Sequence, residues 1–237
     1  MITILNNIMA SNRFTPVDVN LPNQYFEFSL YKAESRHREE YFLTVQLDNN
    51  SDQALKNFLD NTAQEIFEEI QSTGKVELYF EKNCTMLICL ESHGLNHDLV
   101  LALEEDPYNF KKNVIKYSLP ELTALNVYLT SNAIEALTND IINDILNANN
   151  GKDFLAFKYQ SGNGHHLYDL VVRVMLKLSF LSYHPQEQKL ENLTGQIDSA
   201  LPAALTDTFE KILAADWAVE MVIGNVESIW GNKALSH

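Results

Sequence analysis

Alternation of apolar and polar positions marks two strands early in the chain. Over residues 25–31, Phe26, Phe28 and Leu30 fall on one face and Tyr25, Glu27, Ser29 and Tyr31 on the other. Residues 40–47 read the same way, and the charged stretch 32–39 joins the two into a hairpin. Helical spacing takes over after Ser51, a residue suited to cap a helix. Leu55, Phe58, Leu59, Ile66, Phe67 and Ile70 carry that spacing to about Gln71, and Gly74 is a stop signal. Residues 76–80 and 85–90 read as a second hairpin around Lys82 and Asn83, and 98–103 as one more strand. Asp106-Pro107 suits a helix start and predicts a short amphipathic helix with Phe110, Val114 and Ile115. Ser118-Leu119-Pro120-Glu121 is a capping-box pattern, expected to open a long helix reaching about Asn147. Residues 154–159 are ambiguous, and helices are expected over 165–183, 193–201 and 206–230.

These elements predict an α+β fold: a small N-terminal mixed sheet with a helix, followed by a mainly α-helical C-terminal half. Residues 1–23 show no clear period and read as a leader arm, loosely held, with Ile4, Leu5, Ile8 and Phe14 as its docking side chains. The expected divisions are 1–23 for the arm, 24–117 for the α+β domain and 118–237 for the helical domain.

Composition narrows the functional classes. With 237 residues, 46% hydrophobic, 8 Gly and 6 Pro, the chain can bury a core and is not broadly disordered. Its 32 acidic residues outnumber 17 Lys and Arg, for a net charge of -15. Such a surface repels phosphate backbones, which argues against DNA binding as a solitary role and favours a basic protein partner. Cys84 and Cys89 lie five apart on an expected strand and so face opposite sides, where they cannot form a disulfide. Together with the lack of a secretory signal pattern, this implies a reducing cytoplasm. The apolar stretch 167–183 is interrupted by Asp169, Arg173 and Lys177, the polar stripe of an amphipathic helix and no membrane span.

Candidate chemistry is sparse. His93 and His97, with Asp98, have the spacing of helical metal ligands, but Gly94 and Asn96 make the stretch a turn. On a helix starting at His165, His165 and Asp169 would lie one turn apart on one face with His166 also neighbouring Asp169, and the three could serve a metal-dependent hydrolase. That reading needs a third partner and a nucleophile that the sequence does not identify, and a plain helix N-terminus is favoured. Ser161-Gly162-Asn163-Gly164 lacks the Lys-Ser/Thr ending of a phosphate loop. Glu77, Glu81 and Glu91 form no nuclease arrangement, and an acidic DNA-mimic inhibitor is the least favoured alternative, because the acids are mixed with bases. With hydrolase elbows and Cys-His signatures also missing, no cofactor, metal or catalytic residue is expected.

Two basic spots stand out: Lys32, Arg36, His37 and Arg38 in the first hairpin, and Lys111, Lys112 and Lys116 further on. They are candidates for touching a DNA backbone once a partner supplies most of the binding. Pairing with Glu34, Glu39, Glu104 and Glu105 is the favoured alternative. Trp230 ends an apolar stripe that mostly reads as core and is itself a candidate interface anchor.

The run Glu104-Glu105-Asp106-Pro107-Tyr108-Asn109-Phe110-Lys111-Lys112, followed by a capped helix, resembles the middle component of ABC-three-component systems. That group includes Lamassu-type bacterial anti-phage defence. The resemblance implies a non-catalytic accessory subunit of an SMC-like ATPase anti-phage or anti-plasmid complex, bridging or regulating the ATPase heads and an effector nuclease. It implies a cytoplasmic protein that meets DNA only within the complex and no membrane. It brings no catalytic residues. Within the motif, Asp106 and Pro107 are expected to start a helix, Tyr108 and Phe110 to anchor a partner, and Lys111 and Lys112 to face outward.

Overall fold

Five strands form one mixed sheet in the order β1 (Phe14–Val17), β2 (Phe26–Ala33), β3 (Tyr41–Leu47), β4 (Cys84–Glu91) and β5 (Lys111–Tyr117). The computed structural model describes residues 1–20, 26–35, 38–49, 51–159, 166–185 and 202–231. The chain divides into two compact units, residues 1–186 and 187–237.

β1–β2 and β2–β3 are antiparallel, with Phe14 opposite Ala33 and Leu30 opposite Leu43. The first expected hairpin is therefore present. β3–β4 and β4–β5 are parallel, with Val45 opposite Ile88 and Ile88 opposite Val114. Parallel neighbours need long crossovers, usually helical. The first runs through α2 (Asp52–Asn57), a π turn (Phe58–Thr62), α3 (Ala63–Ser72) and the short α4 (Phe80–Asn83). Ser51 caps it as expected, accepting from Ala54 N. The second crossover is α5 (His97–Glu105), capped by Asn96, which accepts from Asp98 N at 3.0 Å.

Both crossovers correct expectations. Residues 76–79 form no strand, so there is no second hairpin, and the strand expected at 98–103 is helix. Val100 and Leu103, three apart, are buried, whereas Leu101 between them is 40% exposed. The helix expected after Asp106-Pro107 is instead β5, and Asp106 ends α5. Val114 and Ile115 are adjacent yet both buried, because a strand between two helical layers buries both faces.

On one face, Leu43, Met86 and Ile88 pack with Leu55, Phe58, Ile66, Ile70, Val100 and Leu103. On the other, Phe42, Leu87 and Ile115 pack with α1 (Ile2–Ser11), α6 (Leu119–Ser131), α7 (Asn139–Asn147) and α9 (His166–Lys177). Ser118 and Glu121 complete the expected capping box at the head of α6. Cys84 and Cys89 fall in opposite cores, as the strand spacing requires.

The expected arm is a structural helix. Leu5 and Met9 are fully buried, and the polar residues of α1 are spent on its docking. Asn6 Oδ1 accepts from Thr44 Oγ1 at 2.7 Å, and Asn7 Oδ1 accepts from Leu137 N at 2.8 Å. Helices α6, α7 and α9 share this core with the sheet.

The long helix expected over 119–147 stops at Ser131 and restarts at Asn139. Glu135, Leu137 and the first residue of α7, Asn139, are held by Asn7 of α1 and by Asn12 just after it. The ambiguous stretch is α8 (Lys152–Tyr159), and α9 ends at Lys177, short of the expected 183. The helix expected over 193–201 lies outside the described residues. In the second unit the single helix expected over 206–230 is two, α10 (Ala203–Ala214) and α11 (Val222–Trp230). Asn225 Nδ2 donates to Asp216 O at 2.5 Å, tying α11 to the intervening turn. Among the described residues no helix is long and apolar enough to cross a membrane.

Candidate functional site: the loop ahead of the last strand

Sheet register places Lys32 and Lys111 at one end of the sheet and Lys116, opposite Leu90, toward the other. Lys32 pairs with Tyr41, Tyr41 with Cys84, and Thr85 with Lys111, each step about 5 Å across. The loop of residues 106–110, which carries the distinctive motif, sits at the Lys111 end.

The loop is built around a buried cation. Lys112 is 1% exposed, and its Nζ donates to Asp106 Oδ2 at 2.5 Å and to Tyr108 O at 2.6 Å. Phe110 N donates to Tyr108 O at 2.7 Å across Asn109, whose φ is 63°. An i to i+2 bond over a left-handed residue is a tight γ-turn, and asparagine tolerates that region better than most residues. Phe110, 2% exposed, meets Phe67 edge-on at 5.3 Å and Phe80 at 6.0 Å. Tyr108 is thereby pushed outward and is 72% exposed. A cavity of about 610 Å³ lies beside the loop, lined by Phe67, Glu81, Asp106, Tyr108 and Lys112 among others.

This geometry separates residues that the sequence groups together. Phe110 is a core residue, buried against Phe67 and Phe80. Lys112 points inward to Asp106 and does not face solvent, unlike the outward charge expected. Lys111 is exposed. Lys32 pairs with Glu77. Arg38 binds Glu40 at 2.6 Å and lies over the rings of Phe14 and Phe180 at 5.1 and 5.5 Å. Arg36 and His37 lie outside the described residues.

The outer edge of β5 is capped by charged side chains. Glu104 Oε1 accepts from Val114 N at 2.8 Å and from Lys177 Nζ at 2.5 Å. Arg173 binds Lys116 O and the Glu121 carboxylate. The stripe Arg173–Lys177 thus faces the sheet edge, supplying bonds that another strand would otherwise make.

His166 opens α9 and lines a cavity of about 480 Å³ with Asn149, Asp153 and Tyr168. Asp169 is 8% exposed, and its carbonyl accepts from Arg173 Nε at 3.1 Å. His165 and Ser161–Gly164 lie outside the described residues. Between His93 and His97, Gly94 sits at φ 72°, in a turn. Among the described residues no group of three or more His, Cys, Asp or Glu is placed to hold a metal ion. Burial pushes the Cys84 thiol well up and the Cys89 thiol to about 12, so neither is a nucleophile at neutral pH.

Trp230 is 42% exposed and Leu78, in the crossover ahead of α4, is 100% exposed. Leu78 was masked in the sequence by its place in an apparent strand. A repeat of Asn139, Asn143 and Asn147 was visible but carried no chemistry without its partner segment.

Residues 40–147 match the family model described as ABC-three component (ABC-3C) system Middle Component 1. The matched stretch runs from β3 through α7, includes the loop around Lys112, and covers just under half of the 237 residues. No curated protein and no solved structure matches the chain.

Proposed function

We propose that this chain is the middle component of an ABC-three-component defence system and acts as a non-catalytic subunit. In this reading it contacts an SMC-like ATPase and an effector nuclease, bridging or regulating them. The family match over residues 40–147 carries the proposal. It is supported by where the charged side chains are spent. Lys112–Asp106, Arg173–Glu121 and Lys177–Glu104 are internal pairs that shape the sheet edge and its loop. The exposed Tyr108, on a loop braced by Lys112, is the docking residue within the matched segment.

Tagged purification of the chain expressed from its native gene neighbourhood, followed by mass spectrometry, tests this. Co-elution of an SMC-like ATPase is expected. A folded chain that elutes alone from that background overturns the assignment.

A further inference from the structure

Three asparagines on one face of α7 read the main chain of residues 182–184. Asn139 Oδ1 accepts from Ser182 N at 2.9 Å. Asn143 works in both directions: its Nδ2 donates to Ser182 O at 2.8 Å and its Oδ1 accepts from His184 N at 2.7 Å. Asn147 Nδ2 donates to His184 O at 2.9 Å. The repeats match, because four helical residues rise about 6 Å and two extended residues about 6.6 Å. A carboxamide carries both a donor and an acceptor, so each rung can satisfy an N–H and a C=O.

The held segment contributes little through its side chains. Ser182, Tyr183 and His184 are exposed, and the Tyr183 hydroxyl adds one bond, to Asn147 Oδ1 at 3.0 Å. Pro185 biases His184 toward the extended backbone that the rungs require. Just before the segment, Leu178 and Leu181 are seated in the core, at 1% and 8% exposure. Apolar anchoring therefore gives way at Leu181 to recognition of the backbone.

We infer that this face of α7 is a binding site for an extended polypeptide main chain, which the protein fills with its own residues 182–184. The site ends three residues ahead of the second compact unit, which begins at residue 187. Many exposed hydrogen bonds and little buried apolar area make such a contact open separately from the sheet. The inference is independent of the proposed function.

Amide hydrogen exchange on the full chain tests it. The Ser182 and His184 amides are expected to be protected, yet to exchange faster than Leu87 and Ile88 in β4. Asn139→Ala should accelerate Ser182, and Asn143→Ala should accelerate His184, each by roughly tenfold or more for a lost bond. The double change Ser182→Ala with His184→Ala should leave both amides protected. Unchanged exchange in the asparagine variants, or loss of protection in the strap variant, overturns main-chain recognition. Exchange of Ser182 and His184 only in step with β4 overturns separate opening. A second measurement uses the full chain carrying Ser182→Pro and His184→Pro, which delete two donors and empty the rungs. A fluorescent peptide of residues 178–185 should raise anisotropy with this variant and fail to do so once Asn143→Ala is added. No rise with the emptied chain overturns the site.

Discussion

Lys112 Nζ lies 2.5 Å from Asp106 Oδ2, and this pair turns a run of charged and aromatic residues into a fixed loop. The Lys112 side chain is fully buried and that of Asp106 is 17% exposed. The two partners are therefore not equivalent. Asp106→Asn leaves an ammonium buried with only carbonyls around it, and Lys112→Met leaves a partly wetted carboxylate. Breaking such a pair from one side costs about 3–5 kcal/mol, whereas replacing both partners with apolar groups costs less. Urea unfolding of Lys112→Met, Asp106→Asn and the double variant Lys112→Met with Asp106→Leu should place the double variant above Asp106→Asn in stability. The reverse order would show that the pair does not brace the loop.

Tyr108 and Phe110, two residues apart, should separate assembly from stability. Phe110→Ala removes a buried ring from contact with Phe67 and Phe80 and should cost about 3–5 kcal/mol. Tyr108→Ala, at a position 72% exposed, should change stability by no more than about 0.5 kcal/mol. Under the proposed function it should still weaken co-purification with the partner subunits. Equal effects of the two substitutions on unfolding would contradict the placement of these rings.

The N-terminal helix should behave as core. Leu5→Ala empties a fully buried position facing the sheet and should cost about 2–5 kcal/mol in chemical denaturation. A leader held loosely would give no measurable loss.

That helix shows why part of the fold was hidden in the sequence. The first hairpin, the Ser51 cap and the Ser118–Glu121 capping box were legible, because each rests on neighbours a few residues apart. α1 was not. Its polar residues Asn6 and Asn7 look like a solvent face, but they bond Thr44 and Leu137, contacts 38 and 130 residues away. The parallel pairing of β3 with β4 was hidden for the same reason. A short apolar run such as 76–80 looks like a strand until the crossover must fit. Of the candidate site, the segment 104–112 was found by its resemblance. Its geometry was misread, since the inward turn of Lys112 depends on Asp106 ending one helix instead of starting another.

The buried thiols give a pH dependence with a defined sign. Burial raises Cys89 from 9.0 to about 12 and Cys84 also upward, so the fold prefers both thiols protonated. Below pH 9 folded and unfolded chains bind the same protons at these sites, and their contribution is fully present. Between pH 9 and 12 the unfolded chain loses protons that the folded chain keeps. Stability then falls as pH rises, by about 1.4 kcal/mol per pH unit for each site in full imbalance. Tyr31, Tyr41, Tyr117 and Tyr168, all raised from 10.0 by burial, push in the same direction at the upper end. Urea midpoints measured from pH 8 to 11 should fall, and Cys89→Ala should flatten the early part of that fall whatever its own baseline cost. An aromatic disulfide reagent at pH 8 should leave the native thiols unreacted and titrate 2 per chain once urea unfolds it. A flat midpoint across pH 9–11, or reaction of the native thiols, would mean that these cysteines are reached by water without unfolding.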